Sequence, residues 1–99
     1  MSRPYLYQPA RALARGHKLC MAITRKELDR AGFELASPPA AWEQFATNSD
    51  TLLLVTCVPL SASSTYVHVV ATSNSEASAK QWAEQIVSQI EHSKMVLFD

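Results

Sequence analysis

Glycine is almost absent from this 99-residue chain, which holds only Gly16 and Gly32. A loop that wraps phosphates with its backbone needs several glycines close together, so no such loop is available. Cysteine is equally scarce. Cys20 and Cys57 stand far apart and form no CxxC, which excludes a thioredoxin-type motif and a structural zinc set. HExxH, GxSxG and a pair of carboxylates in apolar surroundings are also missing, so no catalytic residue, metal or cofactor is assigned. No apolar run approaches the ~20 residues of a membrane-spanning helix. Basic residues never cluster in runs of five or six, and the basic-aromatic signature of an RNA-binding sheet is lacking, so nucleic acid is not expected as a partner. Met1-Ser2-Arg3-Pro4-Tyr5 opens no apolar stretch ending in a small-residue cleavage site. The expected location is therefore cytoplasmic, unless a leader has been removed.

What is present reads as an ordinary soluble composition, 47% apolar and 18% charged, of a length that makes one domain over residues 1–99. The formal charge is zero but uneven: seven of the nine basic residues fall in the first thirty, against Glu27 and Asp29 alone. The expectation is that the two halves lie side by side in one fold.

Two stretches are strongly strand-like. Thr51-Leu52-Leu53-Leu54-Val55-Thr56-Cys57-Val58 and Thr65-Tyr66-Val67-His68-Val69-Val70-Ala71-Thr72 are rich in β-branched and aromatic residues, which suit a pleated surface. Pro59 and the serines up to Ser64 read as the turn of an antiparallel pair. A helix follows over about residues 75–92, with Ala79, Trp82, Ala83, Ile86, Val87 and Ile90 on one face. The spacing Ser73-Asn74-Ser75-Glu76 suggests a capping box at its start. An earlier helix spans about residues 17–31, with Cys20, Ile23, Thr24, Leu28 and Ala31 turned inward. Gly32 is placed to end it in a left-handed conformation, and Phe33 to fold back on its last turn.

Tyr5-Leu6-Tyr7 reads as a first strand that resumes after Pro9 through Ala14. Because proline donates no ladder hydrogen bond, that strand belongs at an edge or is broken there; the rival reading is a helix from Pro9 onward. Residues 41–47 read as a short strand leading through Asn48-Ser49-Asp50 into Thr51. Met95-Val96-Leu97-Phe98 is a candidate final strand. The fold class is α+β, a two-layer sandwich ordered β-α-β-β-β-α, with the helices on one face of a largely antiparallel sheet.

Cys20-Met21-Ala22-Ile23, Leu28, Ala31-Gly32-Phe33, Thr56-Cys57, Tyr66-Val67-His68-Val69-Val70-Ala71 and the last helix from Ala77 together resemble a group of small bacterial α+β domains of unknown function. Many of these are exported, with one cysteine on the first helix and one on a central strand. The likeness covers about residues 17–90 and implies a fold but no activity. Cys20 and Cys57 read as two small buried hydrophobes, as a helix-to-sheet disulfide, which also fits the pattern of that group, or as a reactive thiol. His68 reads as a half-exposed strand residue, His17 and His92 as solvated, and Trp42 and Trp82 as core anchors.

Both faces of strand 51–58 are apolar: Leu52, Leu54 and Val58 on one, Leu53, Val55 and Cys57 on the other. A sheet with helices on one side alternates apolar with polar, so something must cover the second face: a second copy, another protein, a small apolar ligand or the Met95–Phe98 tail. Leu52, Leu53, Leu54, Val55, Tyr66, His68 and Val70 are the interface candidates. The expected function is a non-catalytic protein-binding or assembly module, either a homodimer or a protein that docks on a partner. The alternatives are a small enzyme using Cys57 or His68, or a carrier of a small apolar ligand.

Overall fold

The computed structural model describes residues 5–36 and 42–94. The candidate strand at Met95–Phe98 and the Ser37-Pro38-Pro39 breaker lie outside that range. The elements in chain order are β1 (Tyr5–Tyr7), β2 (Ala10–Leu13), α1 (His17–Arg30), β3 (Glu34–Leu35), β4 (Glu43–Thr47), β5 (Thr51–Ser61), β6 (Ser64–Ser73) and α2 (Glu76–Glu91). The strands form one antiparallel sheet in the order β1-β6-β5-β4-β3, with β2 also paired to β6. This is the expected α+β sandwich, with both helices on one face.

β1 and β2 are a single edge strand interrupted at Pro9. Tyr7 pairs with Ala71 and Ala10 with His68, so the register carries straight across the break. The Pro9 carbonyl still accepts from the Val69 N–H at 3.0 Å. Proline lacks a donor but keeps its acceptor, and an edge position tolerates that loss. The helix reading from Pro9 is thereby excluded.

Pro59 does not end β5, contrary to the sequence expectation. The strand runs on to Ser61, with a register shift between Pro59 and Ser61, and the turn is Ala62-Ser63. The reason lies in what flanks it. Pairing between β4 and β5 stops where the Trp42 carbonyl accepts from the Cys57 N–H. Beyond that point β5 pairs only with β6 among the described residues, so a missing N–H on the open side costs little.

The chain order forces α1 to cross the whole inner face, because β2 lies at one edge and β3 at the other. α1 packs over β3, β4 and β5, α2 over β6, β1 and β2, and the helices touch each other. Gly32 ends α1 at φ 87°. The Gly32 N–H donates to the Asp29 carbonyl and the Phe33 N–H to the Leu28 carbonyl, each at 3.0 Å, which is a Schellman stop. The buried Phe33 ring meets Trp82 of α2 edge to face, with centroids 4.8 Å apart. Trp82 thus packs at the margin of the core rather than inside it. Trp42, read from sequence as a core anchor, is 51% exposed.

The α2 cap is also displaced from the expected position. Ser75, not Ser73, is the N-cap, and its hydroxyl accepts from the Ser78 N–H at 3.3 Å. The other end of α2 is held by Arg15, whose guanidinium donates to the carbonyls of Ile90, at 3.2 Å, and Ser93. Last-turn carbonyls lack intrahelical partners, and a cation answers both their lone pairs and the helix dipole. Arg15 is anchored in turn by its own carbonyl, which accepts from the Thr65 hydroxyl at 2.7 Å. Beside it, a Cβ on Gly16 would stand 3.0 Å from the Ala62 carbonyl oxygen, so this crowded junction favours glycine.

Candidate functional site

The two faces of the sheet differ sharply. On the inner face Leu53, Val55 and Cys57 of β5 meet Val67, Val69 and Ala71 of β6, all 0% exposed beneath the helices. Leu53 and Val55 were candidates for an outward interface, and that assignment is corrected. They share their face with Cys57 because side chains alternate along a strand, and the helices cover that face.

The outer face carries Leu52, Leu54, Thr56 and Val58 on β5, flanked by Tyr66, His68, Val70 and Thr72 on β6 and by Glu43, Phe45 and Thr47 on β4. The register aligns Phe45, Leu54 and Val70 in one cross-strand row and pairs Val58 with Tyr66. Phe45 is 47%, Tyr66 42% and Leu52 41% exposed. Leu54, Val58 and Val70 are half-buried by their neighbours. Glu43 and His68 are the only acid and base among these eleven positions. Neither helix, nor any other described element, packs on this side.

The second notable group is the cysteine pair. Cys20 sits in the first turn of α1 and Cys57 near the middle of β5, and their sulfurs are 2.8 Å apart. Both residues are 0% exposed. Thr24, one turn beyond Cys20, places its hydroxyl 3.6 Å from the Cys57 sulfur. The hydrogen bond from Cys20 to Cys57, together with burial, pushes the Cys20 thiol well above its usual pKa. The same bond favours a thiolate on Cys57 and pulls its pKa down, against the opposing effect of burial.

Register, unreadable from sequence, settles the relation of Cys57 to His68. Cys57 pairs with Val67, whereas His68 pairs with Thr56, so the two lie on opposite faces and cannot act as a couple. His17 is half-buried, with a buried Nε2 that has no hydrogen-bond partner among the described residues, rather than solvated; His92 is exposed as expected. Among the described residues no group of three or more His, Cys, Asp and Glu side chains could hold a metal ion.

One recess of about 520 Å³ opens between the C-terminal ends of the helices, lined by Lys26, Glu27, Arg30, Gln89, His92 and Lys94 among others. Its lining is charged and polar, unlike that of an apolar carrier site. Glu27 is buried there, one carboxylate oxygen 3.3 Å from the Arg30 guanidinium and the other without a partner among the described residues. The sequence reading missed Glu27, although it lies seven residues from Cys20 and three from Thr24, on the same helical stripe. No protein-family model and no curated protein matches this chain.

Proposed function

We propose that this protein is a non-catalytic assembly module that pairs with a second copy of itself through the outer face of its sheet. The observation that carries this reading is the row Phe45–Leu54–Val70, with Leu52, Val58 and Tyr66 around it, on a face that no described element covers. Soluble proteins seldom leave a large contiguous apolar patch open to water. Charge narrows the choice of occupant. With two acids, Glu34 beside Thr47 and Glu43, and one base, His68, on this face among the described residues, it offers little to nucleic acid or to a charged peptide, and a largely uncharged apolar face is its natural complement. A second copy supplies one, and two-fold closure is the commonest way for an identical patch to meet itself.

Size is consistent with this. Strands β4, β5 and β6, of 5, 11 and 10 residues, with the 3 and 4 residues of β1 and β2 at the edge, present a footprint of roughly 500 Å² at about 4.8 Å between strands and about 3.3 Å per residue. Two such faces bury on the order of 1,000 Å², the lower bound for a specific interface. The sheets would stack about 10 Å apart, with interdigitating side chains.

Light scattering over a concentration series, on the full chain and on Leu54→Asp, tests the proposal. The wild type is expected to have twice the chain mass, and Leu54→Asp to be a monomer with an unchanged circular dichroism spectrum. A wild type that stays monomeric at high concentration overturns the reading. A Leu54→Asp chain that loses its fold also overturns it, by showing that the chain's own segments cover this face.

A further inference from the structure

We propose that Cys20 and Cys57 are a disulfide modification site, closed by thiol–disulfide exchange while α1 is lifted from the sheet and then sealed when α1 docks. This is independent of the dimer reading, since the sulfurs lie on the inner face. Three observations carry it. The sulfurs stand 2.8 Å apart, so small side-chain rotations, without displacement of α1, bring them to the bonding distance of about 2.05 Å. They belong to different elements, one on α1 and one on central strand β5, so the bond would fasten a helix to the sheet. Both are 0% exposed, so an oxidant larger than the surrounding packing gaps reaches them only when α1 opens.

The oxidant is a disulfide, either small or carried on an oxidoreductase. The Cys57 thiolate attacks one sulfur of the oxidant; that S–S bond breaks, and the departing sulfur leaves as a thiolate and takes up a proton. Cys20 then loses its proton to water and attacks the Cys57 sulfur, expelling the second oxidant sulfur, which is protonated in turn. Two cysteine thiols lose two electrons and two protons, and the oxidant disulfide becomes two thiols. With α1 lifted the Cys20-to-Cys57 contact is broken, so either thiolate can attack first, and the balance is the same with the two cysteines exchanged.

The test uses the full reduced chain, refolded from denaturant in a mixture of reduced and oxidised glutathione, then alkylated in denaturant and weighed intact. The expected species is lighter than the reduced chain by two hydrogens, carries no alkyl group and no glutathione, and yields a peptide joining Cys20 to Cys57. Cys20→Ala and Cys57→Ala each leave one thiol that is alkylated or glutathionylated. A wild type that remains doubly alkylated, or that accumulates as a glutathione adduct, overturns the proposal. Sealing is read separately, from the rate at which oxidised glutathione acts on the already folded, reduced chain. That rate is expected to rise at least tenfold in sub-denaturing urea, and a rate indifferent to urea overturns the sealing step. The oxidised form is expected to melt about 10 °C or more above the reduced form.

Discussion

The inner and outer faces of β5 are made from the same kinds of residue and live in opposite environments. Leu53 and Val55 are sealed at 0% exposure, while Leu52, their neighbour in sequence, is 41% exposed. Hydrophobicity alone therefore does not decide what is core. The difference comes from topology: α1 must travel from one sheet edge to the other and does so on a single side, and α2 returns beside it. A strand that is apolar on both faces thus has one requirement met by its own helices and a second that no other described element meets.

Opposite substitutions on adjacent leucines give the widest separation. Leu53→Asp places a charge under the helices with no partner, a penalty that exceeds most of the 5–15 kcal/mol a domain possesses. The expected outcome is an unfolded chain by circular dichroism, against a folded monomer for Leu54→Asp. A folded Leu53→Asp protein would erase the distinction between the faces.

Trp82→Ala is expected to cost about 2–3 kcal/mol in a urea titration. This is below the usual range for a fully enclosed tryptophan, because the ring is only partly buried against Phe33. A loss much larger than that would place this edge of α2 deeper in the core than its exposure indicates. Ser75→Ala removes the hydroxyl that caps α2 and is expected to cost about 1 kcal/mol. That loss should appear equally in thermal melts of wild-type and Leu54→Asp backgrounds, since the cap lies away from the outer face.

Much of the architecture was legible because helical periodicity and β-branched runs are local signals. The stripe Ala79, Ala83, Ile86, Val87 and Ile90 is buried as spaced, and the stop at Gly32-Phe33 forms as its residues require. Register was not legible, because it depends on which strands meet. It decided that Cys57 and His68 face opposite ways, and that Leu53 and Val55 belong to the core. Pro59 misled because a proline is read as a breaker unless it is known that its open side has no neighbour to bond. Trp42 misled because burial depends on where an element ends: it lies just before β4, where pairing with β5 runs out. The nearness of Cys20 to Cys57 was half legible, as an inward helix position and a central strand position, but the 2.8 Å contact required the crossing path of α1.

The position of the edge strand has a consequence for the order in which the chain assembles. Among the described residues β1 and β2 pair only with β6, whose last residue is Ser73. The first described strand is therefore completed by the last described strand, a high-contact-order closure of the kind that slows folding. During synthesis at about 5–20 residues per second, residues 5–13 wait several seconds for β6, while the β4–β5 pair can already form. Nascent chains are thus expected to pass through a state in which β4 and β5 are paired and the edge strand β1–β2 still lacks β6, and a chaperone that shields an unpaired strand would act at that interval.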